Sequence, residues 1–176
     1  DFPVWSSRLL DLMHWVCLSV PLEAVEFIVV YSAPSGIDSL LQALPEDLAA
    51  RVSTLDLAGL PANYYQMKNA GAQIAKGEFL VFLDSDLVAV DGSLNDLLKP
   101  VVQKKCIASC GYTFFPTESF LERCYAIFWM FPIYKFPETL GVRQLLVSNT
   151  VVHREWFIEN GSFLQIGGFK VSCALL

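Results

Sequence analysis

The chain has 176 residues, of which 54% are hydrophobic and 17% charged, with a formal net charge of −6. This is ample material for one core and too little length for two ordinary domains. The acidic balance also argues against sequence-independent nucleic-acid binding, which relies on Lys and Arg neutralising phosphates. Cys17, Cys106, Cys110, Cys124 and Cys173 are odd in number and form no C-x-x-C pair. Reduced, core-packed thiols of a cytosolic compartment fit that pattern better than a zinc site or a disulfide framework. The chain opens on Asp1 and shows no signal-peptide pattern, so it reads as an excised piece.

Apolar residues at Leu9, Leu12, Met13, Val16 and Cys17 have helical spacing, and Ser6 or Ser7 can cap the start. His14 on that helix reads as structural. Residues 26–31 form a β-branched run and therefore a strand, and residues 32–36 a turn into a short helix that ends near Pro45. A second strand covers 52–57, and Pro61 suits the first turn of a helix running to about residue 75. The nearly continuous apolar run 79–83 predicts a strand buried on both faces. Asp91, Gly92 and Ser93 make a turn and cap for a helix through Leu98 that Pro100 ends.

In the second half, 107–114 reads as a strand, 117–131 as a helix capped by Thr117, and 137–143 as a loop. Residues 145–152 then form a strand that turns into a helix at 154–157, broken by Glu159, Asn160 and Gly161. The alternation of strands and helices implies parallel pairing in an α/β layered domain.

The carboxyl end of strand 79–83 carries the chemistry. Asp84 and Asp86 follow it one residue apart, and an extended backbone would point both the same way. Two such charges are tolerated with a divalent cation between them, and Mg²⁺ or Mn²⁺ shared with substrate phosphates is the usual occupant. The competing reading is a solvated loop whose two Asp cap the next helix. The aromatic run 125–134 falls well short of the ~20 residues of a membrane span and contains Pro132. It reads first as a buried helix end and second as a patch for peripheral membrane contact.

With these motifs placed, the chain resembles glycosyltransferase family 2, the inverting nucleotide-sugar enzymes of the GT-A fold. Tyr65-Gln66-Met67-Lys68-Asn69-Ala70-Gly71 with Ala75-Lys76-Gly77-Glu78 is similar to the family's helix and its A-x-G-E lead into the strand. Phe82-Leu83-Asp84-Ser85-Asp86 matches the D-x-D signature, and 148–157 resembles the segment where an Asn on a strand precedes a basic residue and an aromatic. The resemblance implies an α/β, Rossmann-like, three-layer GT-A domain with a mainly parallel mixed sheet. It implies a single domain over 1–176, incomplete at both ends, with 1–100 as the nucleotide-sugar half and 101–176 as the acceptor half. The implied partners are a nucleotide-diphosphate sugar donor and a glycan or lipid-linked acceptor, with Mn²⁺ or Mg²⁺ as cofactor. The implied setting is cell-wall or glycolipid synthesis at the inner face of a membrane.

Carried over residue by residue, Asp86 and Asp84 are the metal site. Asp38, Lys68, Asn69, Asp84, Ser85 and Asp86 bind the nucleotide sugar, and Asn149, His153 and Arg154 lie on the acceptor or diphosphate side. Three departures stand out. The family's opening strand is not among these residues, Tyr31-Ser32 stands where a base-contacting Asp is usual, and Gly167-Gly168-Phe169 is not followed by the acidic base. Glu155 is left as the candidate for that base, and weak donor binding by this segment is the expectation. Two other readings remain: a catalytically inactive GT-A binding or assembly module, and a phosphohydrolase of the haloacid dehalogenase type. The latter's D-x-D-x-[TV] pattern is matched by Asp84-Ser85-Asp86-Leu87-Val88.

Overall fold

The computed structural model describes residues 4–32, 36–90, 92–111, 117–134, 148–160 and 163. The expected loop 137–143, the start of the strand expected at 145–152 and the Gly167-Gly168-Phe169 segment lie outside them.

The opening helix, α1 (Val4–Ser19), buries Leu12, Met13 and Val16 and leaves His14 exposed. Strand β1 (Phe27–Tyr31) follows, then α2 (Ile37–Ala43). Pro45 ends α2 and also opens one further turn, α3 (Glu46–Ala49), which leads into β2 (Val52–Asp56). The pair β1 and β2 is parallel, in register from Phe27 with Val52 to Tyr31 with Asp56.

Helix α4 (Tyr64–Ile74) starts at Asn63, later than the proline suggested. The Asn63 side chain accepts from the Tyr65 and Gln66 amides while Gln66 accepts from the Asn63 amide. This reciprocal cap satisfies the first orphan amides and leaves Pro61 in the preceding loop. Strand β3 (Phe79–Leu83) is as expected. Helix α5 (Leu94–Val102) has a Ser93–Asp96 cap and runs through Pro100 without ending there. Burial of Leu94 and Val101 on either side of the proline outweighs the hydrogen bond its ring removes.

Strand β4 (Ala108–Cys110) is shorter than the expected run, and residues 112–116 of that run lie outside the described set. Helix α6 (Phe120–Tyr134) is capped by Ser119 with Glu122, not by Thr117, whose carbonyl instead accepts from Arg123 Nε. It too continues past its proline, Pro132. Strand β5 (Asn149–His153) passes directly into α7 (Arg154–Asn160).

The sheet departs from the mainly parallel one expected. Strand β5 enters antiparallel between β3 and β4, giving the order β3-β5-β4, and this sheet is separate from the β1-β2 pair. Pairing direction is set by how distant segments meet, so the helix α6 between β4 and β5 does not by itself dictate a parallel entry. Alternation along β3 still gives it two covered faces. Leu80 and Phe82 pack with Ala72 of α4, Ala75 just after it and Phe157 of α7, while Phe79, Val81 and Leu83 share a cluster with Val16 of α1 and Leu94 and Val101 of α5.

Two packing expectations fail. Cys17, Cys106 and Cys110 are half-buried, but Cys124 is exposed. The first turns of α6 are also open to solvent, with Phe120, Leu121, Tyr125 and Ile127 between 54% and 79% exposed. Of the aromatic run 125–134, Tyr125 and Ile127 are therefore not buried, and the side chains of 128–134 lie outside the described ones. Among the described residues no helix is long and apolar enough to cross a membrane.

Gly71 packs α4 against the first sheet. A Cβ there would lie 3.0 Å from Val30 Cγ2 and 3.8 Å from Ile28 Cγ2. Gly71→Val should destabilise the fold by about 1–3 kcal/mol through overpacking. In a Val30→Ala background the cost should fall by at least half, and urea unfolding of the four proteins of this cycle is the measurement. An unchanged cost would place the strain elsewhere.

Candidate functional site

The backbone does not stay extended beyond Leu83. The Asp84 amide donates to Ser148 O at 3.0 Å, the last rung of the β3-β5 ladder, and Leu87 N–H returns to Asp84 O at 3.2 Å around a turn at Ser85 and Asp86. The turn departs from the extended chain that would have aligned the two carboxylates. Asp84 is half-buried, whereas Ser85 and Asp86 are exposed.

Asp84 is held by α4. Lys68 Nζ donates to its Oδ1 at 2.7 Å, and the Tyr64 hydroxyl lies 2.8 Å from both carboxylate oxygens. Tyr64 and Lys68 are one helical turn apart and so share a face of α4. The Lys68 side chain is only 11% exposed, and its ammonium also sits 4.8 Å from the Tyr64 ring centre and 5.7 Å from that of Phe82. Burial pulls the ammonium below its ordinary pKa, and Asp84, with help from Asp86, pulls it back up. The Tyr64 phenol is raised, first by burial and then by its hydrogen bond to Asp84. The charge of exposed Asp86 adds to both shifts in the same direction, less than that of Asp84.

The other expected residues divide by position. Asn149 pairs with Leu83 across β3 and β5, so it stands at the Asp84 end of the sheet. A Cβ on Gly111 would lie 2.9 Å from its Nδ2, so the end of β4 closes against it. His153 pairs with Phe79, the opposite end of the same ladder, and Arg154 and Glu155 follow it into α7. Antiparallel pairing thus carries these three away from Asp84, five residues of strand apart. There His153 lies 3.9 Å from Glu78 and edge-on to the Phe79 ring, and Arg154 N–H donates to Glu78 O.

Asn69 has both ends of its amide on the main chain of Phe163. Its Nδ2 donates to the carbonyl at 2.7 Å, and its Oδ1 accepts from the amide at 2.7 Å. This clamp seats Phe163 against Tyr65, Phe82 and Phe157, a structural role for Asn69. Lys68, paired with Asp84, is not a solvated surface lysine. Asp38 is exposed in the first turn of α2. Tyr31, at the carboxyl end of β1 and paired with Asp56 across the ladder, has its phenol raised by burial and then by the charges of Asp56 and Asp38.

Sequence reasoning missed Tyr64. Its spacing of four from Lys68, directly after an Asn cap, was the available signal.

Asp84→Asn keeps the shape of the cluster but removes the counter-charge of a buried ammonium, and should cost about 3 kcal/mol at pH 7. A folded-state pKa below the unfolded one imposes a penalty that is complete at low pH and is relieved as pH rises towards the unfolded value of about 10.4. Without Asp84 the Lys68 pKa falls further, so the variant should recover stability between pH 7 and 9.5 more than the parent does. The raised Tyr64 phenol keeps its contribution across this window, below its unfolded value of about 10. Urea unfolding at both pH values is the check, and an equal deficit at each would show that no buried ammonium depends on Asp84.

Among the described residues no three His, Cys, Asp or Glu side chains gather as a self-sufficient metal site. No curated protein matches the chain. The sequence profile described as Glycosyl transferase family 2 matches residues 62–159, more than half of the chain, from the loop before α4 to the last turn of α7. That span contains the Lys68, Asp84 and Asp86 cluster and the β5 strand that braces it, and the chain belongs to glycosyl transferase family 2.

Proposed function

We propose that this chain binds the diphosphate of a nucleotide-sugar donor beside Asp84 and Asp86 and passes the sugar, with inversion, to a hydroxyl of a glycan or lipid-linked acceptor. The observation that carries this reading is the unequal state of the two carboxylates. Asp84 is fixed by Lys68 and Tyr64, and Asp86 is left open at the rim. The helices on both faces of β3 are consistent with a three-layer GT-A domain, with 1–100 as the donor half and 101–176 as the acceptor half. In space the halves adjoin, since β5 and β4 of the second extend the sheet from β3 of the first.

One open carboxylate beside an engaged one suits Mg²⁺ or Mn²⁺, which keep several waters and take the remaining oxygens from substrate phosphates. Asp86 would hold the ion, with Asp84 behind it, and when bound it would supply neutralisation of charge on the leaving diphosphate. The protein's own contribution is orientation. Lys68 and Tyr64 prevent Asp84 from rotating, so the carboxylate can receive a ribose hydroxyl or a water in one geometry. Asp38 stands by the carboxyl ends of β1 and β2, on the side where the base would lie. Glu155 is at the far end of β5 and has no part in this reading.

Calorimetry with Mn²⁺ and a nucleoside diphosphate should show that each tightens the binding of the other. Asp86→Ala should remove that coupling, a loss of roughly tenfold or more in diphosphate affinity at saturating metal, or about 1.4 kcal/mol. Undiminished coupling in the variant would dismiss the metal assignment.

The far placement of Glu155 has its own test. Glu155→Gln should leave sugar transfer within about twofold of the parent, where loss of a general base would lower it by roughly 10²–10⁴. Intact donor binding with no transfer in the parent would favour the inactive binding module instead.

A further inference from the structure

Strand β5 lies between β3 and β4, and the residues at its start close both ladders. Ser148 O accepts from the Asp84 amide on the β3 side at 3.0 Å, and Asn149 O accepts from the Gly111 amide on the β4 side at 3.1 Å. These two carbonyls belong to consecutive planar peptides, so the backbone of Asn149 fixes one relative to the other. Asp84 is thereby held at three points. Lys68 and Tyr64 engage its carboxylate, Ser148 its amide, and the returning Leu87 amide its carbonyl. The carboxylate contacts do not set where Asp86 falls, two residues further round the turn, whereas the main-chain contacts do.

The Asn149 side chain lies on the other face of the sheet from that cluster. It stands opposite Leu83, whose side chain packs towards α1 and α5, whereas Asp84 turns to α4. Gly111 stands opposite Asn149 on the β4 side, one step beyond the Cys110 and Thr150 pair. A Cβ there would meet Asn149 Nδ2 at 2.9 Å and Cγ at 3.5 Å, with Leu97 Cδ2 also at 3.5 Å. The carboxamide thus occupies the space that a side chain at 111 would fill, and its Oδ1 is withdrawn from solvent. The φ of Gly111 lies outside the left-handed region adopted by Gly36, Gly59 and Gly92. Glycine serves here by leaving room, not by its backbone freedom. A withdrawn carboxamide on the apolar face of Leu83 is a costly choice for filling space alone, which points to a further role.

We propose that Asn149, seated by Gly111, is a positioning residue of the donor site and holds the start of the D-x-D turn from the side away from α4. This rests on the reading of Asp84 and Asp86 as the place of metal and diphosphate. A carboxamide wedged against the end of β4 keeps the first peptides of β5 from tilting, and so keeps Ser148 O in line with the Asp84 amide. Asp86 is then presented to a metal-bound diphosphate at one distance from Asp84. Asn149 acts through that placement and not by touching substrate.

The test compares Gly111→Ala, Asn149→Ala and the double variant, each in the full chain. Amide exchange is read at Asp84 and, as an internal control, at Phe82, the next rung of the same ladder. Each single variant should speed exchange at Asp84 by about tenfold and leave Phe82 unchanged. Calorimetry uses Mn²⁺ with whichever of uridine, guanosine, adenosine, cytidine and thymidine diphosphate the parent binds most tightly. Each single variant should lose about tenfold in that affinity at saturating metal. The double variant should lose no more than either single one, since the added methyl meets no carboxamide once Asn149 is replaced. Equal acceleration at Asp84 and Phe82 would mean general loosening and overturn the proposal, as would additive losses or an unchanged Asp84 amide. If the parent itself binds no diphosphate with Mn²⁺, the donor-site reading fails, and the exchange results alone decide whether Asn149 holds Asp84.

Discussion

The ion pair between Lys68 and Asp84 is the interaction from which the rest of the site follows. An ammonium with 11% of its side chain exposed is costly unless a counter-charge is fixed beside it. Asp84 meets that need at 2.7 Å, with the faces of Tyr64 and Phe82 supplying further negative potential. The pair crosses from α4 to the end of β3, so it ties a helix face to a strand terminus as well as neutralising charge. It also divides the D-x-D pair into two unlike groups, one committed to the protein and one open at the surface.

Glu26 plays a comparable part at the other end of the strands. A single carboxylate oxygen accepts two amides from the loop before β3 and so sets where β3 begins relative to β1. Between Glu26 below and the Asp84 cluster above, β3 is fixed at both ends. Helix α4 lies over both sheets and is the main packing link between them.

Much of the order of elements was legible because it rests on local signals. The apolar run of β3, the helical spacing of α1 and the β-branched β1 are properties of short windows. Proline was the misleading signal. Pro61, Pro100 and Pro132 each have a strong local meaning, and in α5 tertiary burial of Leu94 and Val101 overrides it. The antiparallel entry of β5 was hidden for another reason, because pairing direction depends on how distant segments meet. That one pairing moves His153, Arg154 and Glu155 away from Asp84 while keeping Asn149 near it. At the site itself, the carboxylates could be read from the sequence. Their partners could not, since Lys68 and Asp84 are 16 residues apart and their contact depends on how α4 crosses β3.

The reciprocal cap at Asn63 and Gln66 has a consequence for how the site comes apart. Tyr64 is the first residue of α4, and Lys68 lies one full turn deeper. Helix ends fray, and an N-cap contributes about 1 kcal/mol, which changes the frequency of first-turn opening roughly fivefold. Fraying therefore releases the phenol from Asp84 while the ammonium stays in place. The carboxylate passes through an intermediate condition with one restraint, able to turn towards the rim without exposing a buried charge. The strength of a cap outside the cluster thus governs how often Asp84 can join Asp86.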